Sequence, residues 1–319
     1  MKKKIKVLFI ASLLILCIGV KAFSQSSLSD IRSSVNAFSS VMAESLPFNS
    51  TLGLNWSDAY IGKLFPSVPP HFGAGISLGF TSLDLPVFNK LLEAFGGSAL
   101  GNMPFSMERM ILPAYTAEVR LGGFFLPFDL GFKVGYLPEV KFPGVDDLKI
   151  RYTLIGFDVR YALMEGNVIL PKLSLALGFN YLEGGIGTSI GESINITHEG
   201  NTINISAPTF GLKWEAYTFD LRAQISKSFL IVTPYAGLGA TYGWSSAGYE
   251  IEANITGGSG VEEISGNRMS SMVENSGQFA FRAFGGLSIN ILVLRLDFSG
   301  MYNFSDSNFG ASFGIRFQL

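Results

Sequence analysis

Residues 309–319 (FGASFGIRFQL) alternate without a break. In an extended chain, side chains repeat every two residues. Phe309, Ala311, Phe313, Ile315, Phe317 and Leu319 therefore share one face, and Gly310, Ser312, Gly314, Arg316 and Gln318 share the other. The first face is too apolar and aromatic for water. A closed barrel in a bilayer gives each face a suitable medium, with lipid outside and a polar or small-residue interior.

The same division recurs at 72–80, 115–121, 128–136, 153–163, 173–181, 217–225, 230–244, 279–289 and 292–304. Each segment approaches the length that a tilted strand needs to cross a bilayer. The pattern predicts an all-β fold, a transmembrane antiparallel up-and-down barrel of about ten strands (range about 8–12). An even number suits closure. The connections give a second reading. Tight gaps at 124–127, 165–167, 227–229 and 290 alternate with longer ones at 84–112, 137–147, 183–213 and 245–276, while the gap at 305–308 is short. Such parity fits short periplasmic turns and long outer loops, with both barrel ends on the periplasmic side and the first strand starting near Phe72.

Residues 1–24 read as a secretory signal peptide. Lys2, Lys3, Lys4 and Lys6 precede an apolar run at 7–20, and Ala22-Phe23-Ser24 places small residues at cleavage spacing. The run is too short to span a bilayer, and no later stretch approaches the ~18 apolar residues of a spanning helix. Cys17, the only cysteine, is flanked by Leu16 and Ile18 where a lipidation box wants small residues. The mature chain is thus expected to hold no disulfide and no thiolate chemistry. Removing 1–24 removes five of the 23 basic residues and none of the 25 acidic ones. That acidic balance, with no basic patch among aromatics, argues against a nucleic-acid partner. No phosphate loop or metal-binding His/Cys set occurs, so no cofactor is expected.

Residues 25–70 precede the predicted barrel at 71–319. Leu28, Ile31, Val35, Phe38, Met42 and Leu46 recur at helical spacing and predict an amphipathic helix. Residues 51–64 (TLGLNWSDAYIGKL) fit a further strand or a segment entering the barrel beside that helix. Inward glycines at Gly73, Gly75 and Gly79 leave room for such an approach. A luminal plug and a loose periplasmic lead-in are both open readings of 25–64.

The inward faces carry acids and bases at close spacing: Glu118 and Arg120, Asp129 and Lys133, Asp158 and Arg160, Asp220 and Arg222, and Arg295 and Asp297. Arg282 and Arg316 add positive charge. One reading is a charged constriction that selects solutes. The other is an interlocked ion-pair core in a narrow barrel, in which every buried charge needs a partner. The near balance of signs favours the second for part of the network.

The first outer gap is distinctive. Asp84 can cap a helix, Pro86 suits its first turn and Gly96 can end it. Leu85, Phe88, Leu92 and Phe95 form an apolar stripe, followed by Met103, Phe105 and Met107. Such a stripe is costly in water, so it predicts either a lid for a hydrophobic or amphipathic solute or a self-packed cap. The other long gaps lean acidic, with Glu183, Glu192 and Glu199 in one and Glu250, Glu252, Glu262, Glu263 and Glu274 in another. Their spacing matches no divalent-cation loop. His71 and His198, the two histidines, lie in no nucleophile arrangement, so no enzyme is expected.

From the leader through the strand pattern to the aromatic last strand, the chain resembles bacterial outer-membrane β-barrel proteins over residues 72–319. The resemblance implies outer-membrane lipid as the medium, outer loops at the cell surface and the barrel-assembly machinery as a partner. That machinery usually reads a terminal aromatic; here Leu319 is last and Phe317 lies two residues earlier on the same face. An apolar lid with a plug is similar in logic to long-chain fatty-acid transporters. Their N-terminal motif is absent, and none of their binding residues carries over. Two functions are expected: a narrow channel or uptake protein for a small, amphipathic solute, or a non-conducting structural or surface-interaction barrel with acidic outer loops.

Overall fold

The alternating segments pair side by side in the computed structural model, which describes residues 28–84, 109–141, 149–189, 194–198, 201–205, 209–256 and 264–319. Helix α1 (Leu28–Ser50) comes first, followed by a short strand β1 (Lys63–Phe65). Then come β2 (Phe72–Asp84), β3 (Arg109–Phe124), β4 (Phe128–Lys141), β5 (Lys149–Met164) and β6 (Lys172–Ser189). A small hairpin, β7 (Ile194–His198) and β8 (Asn201–Ile205), precedes β9 (Thr209–Ser226), β10 (Val232–Thr256), β11 (Ile264–Ile291), β12 (Leu294–Asn303) and β13 (Phe309–Gln318).

Ten of these strands form a closed antiparallel ring. Each pairs with its neighbour in the order β2-β3-β4-β5-β6-β9-β10-β11-β12-β13. Strand β13 then returns to β2, from Gly310 opposite Thr81 to Gln318 opposite Gly73. The seam is extended by the Leu319 amide, which donates to the Phe72 carbonyl at 2.9 Å. Closure leaves the ring without an unpaired edge. Burial alternates along the strands as the sequence pattern predicts. In β3, Thr116, Glu118 and Arg120 are buried while Ala117, Val119 and Leu121 are exposed.

Three expectations change. First, residues 51–62 form no strand, and only β1 pairs, parallel to β3. Gly53, Leu54 and Gly62 take φ of 84°, 57° and 118°, which no extended strand accommodates. Second, much of the 245–276 gap is paired β-structure. Strands β10 and β11 run 25 and 28 residues, with Ser245 opposite Asn275 and Ile255 opposite Ile264. The ladder continues past the apolar band because Tyr249, Ile251, Ala253 and Ile255 keep the period of two, while the many Glu and Ser residues suggest a loop. Third, the 183–213 gap is largely strand as well. Strand β6 runs to Ser189, β9 starts at Thr209, and β8 pairs with the far end of β10 through Ile205 and Ile255. The predicted leader at 1–24 and the predicted outer-loop helix at 85–96 lie outside the described residues.

The interior has two tiers. At the long-loop end, Leu83, Leu112, Leu154, Leu182, Leu212, Trp214 and Met301 line an apolar cup. At the short-turn end the wall is charged. Helix α1 packs into the cup. Phe38, Met42 and Leu46, one turn apart, are buried there, and Glu44 faces outward. The helix stops because the chain turns left-handed at Gly53 and Leu54, after tight bonds from Thr51 N to Phe48 O and Leu52 N to Asn49 O, both 3.1 Å.

Candidate functional site: the filled lumen

The charged tier is wired across strands. Arg120 on β3 donates to Asp129 on β4 at 2.6 Å and to Asp158 on β5 at 2.9 Å. Arg160 on β5 holds both oxygens of the same Asp129 at 2.8 Å. Asp158 also takes Arg222 of β9. Asp220 on β9 accepts both arms of Arg282 from β11, at 2.7 and 2.8 Å, together with the Thr241 hydroxyl at 3.0 Å. Asp297 on β12 pairs with Arg316 on β13 at 2.5 Å. These arginines and aspartates are almost wholly buried, so each charge depends on its partner. Two-residue spacing identifies the luminal face, but the pairs form across strands; Asp220 and Arg222, at 3.1 Å, are a same-strand exception.

Residues 49–61 run through this tier and use what the wall leaves over. Lys133 on β4 points its ammonium at the end of α1, donating to the carbonyls of Ser50 at 2.8 Å and Leu52 at 2.5 Å. A cation there satisfies exposed carbonyls and complements the helix dipole. Ser50 Oγ meets Thr218 Oγ1 of β9 at 2.9 Å, and Asn49 Nδ2 donates to Thr81 Oγ1 of β2 at 2.7 Å. Trp56 Nε1 donates to Glu118 Oε2 at 2.6 Å. Its ring lies under the guanidinium of Arg316 at 4.5 Å, with that of Arg120 at 5.5 Å. Gly73 makes room for that ring: a Cβ there would come within 2.8 Å of it. Gly79 likewise faces Leu52, while Gly75 is filled by Arg316 of the neighbouring strand.

Asp58 is the centre of the arrangement. Its carboxylate accepts Lys172 from β6 at 3.2 Å, and Arg316 and Gln318 from β13 at 3.2 and 3.3 Å. Its carbonyl accepts Arg160 at 2.6 Å. Strands β6 and β13 stand on opposite sides of the ring, so one side chain ties both walls across the bore. Burial alone raises the Asp58 carboxyl, but Lys172, Arg316 and Arg295 outweigh it and hold the group well below the usual carboxylate range. Cavities of about 10 Å³ each lie beside Trp56 and beside Lys133, room for about one water apiece.

Each residue of the expected charge network faces inward. Glu118, Arg120, Asp129, Lys133, Asp158, Arg160, Asp220, Arg222, Arg282, Asp297 and Arg316 are buried, and Arg295 is half-buried. The candidate lid, Leu85, Phe88, Leu92, Phe95, Met103, Phe105 and Met107, lies outside the described residues. His71 reaches Leu319 O at 3.2 Å beside the barrel seam. Among the described acidic residues, Glu183 pairs with Arg151 at 3.1 Å and Glu250 with Lys213, and no metal-binding cluster occurs among the described residues. Trp56, Asp58 and Lys172 complete the tier. Lys172 lies two residues before the inward-facing Ser174, in phase with the luminal face of β6, whereas Trp56 and Asp58 follow no period and their one signal is NWSD, a polar run inside a mostly apolar segment.

Solved structures with similar folds are outer-membrane proteins. The outer membrane protease OmpT from Escherichia coli aligns at 10% identity and TM-score 0.40, over 79% of this chain and 97% of that one. A major outer membrane protein from Thermus thermophilus aligns at 11% identity and TM-score 0.31, over 77% and 99%. The translocator domain of autotransporter NalP from Neisseria meningitidis aligns at 8% identity and TM-score 0.32, over 90% and 98%. No curated protein matches the sequence. The fold itself is read from this chain's own strand pairings, and a family model matches residues 87–319: the chain belongs to DUF6588, a family of unknown function.

Proposed function

We propose that this protein is an outer-membrane barrel closed at rest by its own residues 38–61, with its long loops at the cell surface as the working face. The bridge from Asp58 to opposite walls carries the reading. Magnitudes decide between a resident and a mobile plug. Phe38, Met42, Leu46, Phe48, Leu52 and Leu54 are buried. At ~1.5–3 kcal/mol each, returning these six to water costs roughly 9–18 kcal/mol. With tenfold per 1.4 kcal/mol, spontaneous opening is negligible. A surface-interaction barrel with a closed interior fits this best. The raised β10–β11 hairpin, with β7 and β8 on its flank, offers the contact surface.

A second reading is favoured by the apolar cup. An amphipathic solute whose tail replaces the contacts of α1 could enter while its charged end meets the arginines of the lower tier. Planar-bilayer recording separates the readings. The full mature chain is expected to be silent, alone and with long-chain carboxylates present. Stable single-channel steps from the chain alone would falsify the closed-barrel reading, and steps only with the carboxylate would favour the second.

A further inference from the structure

The short turns carry side chains that their backbones disfavour. Phe125, Leu230 and Leu292 adopt φ of 61°, 47° and 54°. Left-handed positions in tight turns belong to glycine and asparagine, and a bulky residue there is an outlier. Burial does not compensate: Phe125 is 67% exposed, Leu292 93%, and Leu230 entirely so. The fourth short turn exposes Val168 and Ile169 as fully. That turn is built rigidly. Asn167 Oδ1 accepts the amides of Ile169 and Leu170, and Lys227 from the next turn donates to the carbonyls of Asn167, Val168 and Leu170 at 2.7–3.1 Å. Four turns thus hold apolar tips outward, three of them at a conformational cost, and among these three only Phe125 meets a ring of the fold, that of Phe65 at 5.2 Å.

We propose that these tips anchor in the acyl chains of the adjacent leaflet, so that the short-turn end of the barrel ends inside the membrane instead of projecting into water. Continuity is the first argument. The lipid-facing residues Leu121, Leu163, Ile225 and Leu294 are exposed and lead into the turns, where the tips themselves bear no charge. Height is the second. Exposed Tyr136 and Tyr302 mark the far interface, eleven and ten residues from Phe125 and Leu292. At ~3.3 Å per residue and ~40° tilt, those spans are about 25–28 Å, close to the apolar band of such barrels. Side-chain type is the third. Interfaces collect Trp and Tyr. The tips are Phe, Leu, Val and Ile, which belong in hydrocarbon.

The test uses single cysteines, Leu230→Cys, Leu292→Cys and, as a water-exposed control, Ser307→Cys. Each is labelled with a polarity-sensitive fluorophore in the full mature chain, folded into phosphatidylethanolamine–phosphatidylglycerol vesicles. At positions 230 and 292 we expect blue-shifted emission, strong quenching by acyl-chain nitroxide lipids, and iodide quenching several-fold weaker than at 307. Iodide quenching equal to that at 307 would overturn the proposal. So would labels that escape nitroxide quenching in vesicles and are shielded only in intact envelopes, which would assign the surface to a periplasmic protein. The Leu230→Asn/Leu292→Asn variant relaxes the backbone. It should fold at least as stably in detergent yet bind lipid less, a split that a purely structural role of the leucines does not produce.

Discussion

The two tiers of the lumen hold the same N-terminal segment by different physics. In the cup, α1 is gripped by shape and burial: Phe38, Met42 and Leu46 against Leu83, Leu154, Leu182 and Trp214. Such contacts are non-directional and tolerate any apolar group of similar volume. In the charged tier the grip is directional. Asp58, Trp56 and the Ser50 and Leu52 carbonyls each meet a specific wall donor or acceptor, and nearly every wall charge is already engaged. The cup therefore supplies most of the energy and the charged tier fixes position. A barrel needing only a filler could manage with the first; the second implies that one register of the segment matters.

Removing one side of the directional grip should have the largest effect. Asp58→Ala leaves Lys172 without its carboxylate and Arg316 with Asp297 alone, so a loss of about 3–5 kcal/mol is expected. Urea titration followed by tryptophan emission measures it, because Trp56 lies beside the broken bridge. An unchanged midpoint would show that the bridge is incidental. Leu46→Ala should lose about 2–5 kcal/mol by opening a cavity in the cup. A small hydrocarbon should recover part of that loss, and the same hydrocarbon should do nothing for Asp58→Ala. Rescue of both, or of neither, would erase the distinction between the tiers.

Acid should have the smallest effect. The folded state depresses the Asp58 carboxyl, so its stabilisation is complete above the unfolded value near ~4 and is lost only as pH falls further, through the folded value. Protease resistance of residues 28–61 should not change between pH 7 and pH 5. Release at pH 5 would mean that Asp58 is not paired as described.

Much of this was legible in the chain. A period of two survives every tertiary influence in a barrel because each strand meets lipid on one face and lumen on the other, so all ten ring strands and the inward set from Glu118 to Arg316 could be read directly. Phe38, Met42 and Leu46 announced a helix for the same reason. Pairing was hidden: the partners of Arg120 lie 9 and 38 residues away, and spacing along one strand says nothing of its neighbours. Residues 51–62 were hidden too. An irregular segment has no period, and the route of Asp58 through the lumen follows from wall charges that no local pattern relates to it. The upper hairpin was misread because Glu and Ser on a strand outside the membrane look like a loop.

If the lumen is filled as described, Ser50 must lie against the inner wall of β9. Ser50 Oγ and Thr218 Oγ1 are 2.9 Å apart, although the residues are 168 positions apart in sequence. Ser50→Cys/Thr218→Cys in a Cys17→Ser background should form an intrachain disulfide in the envelope at once, seen as a shift on a non-reducing gel, while Ser50→Cys paired with an exposed cysteine at Leu177 should not. Two free, alkylatable thiols in the folded barrel, at every time and oxidant tested, would place the segment outside the lumen and contradict the account.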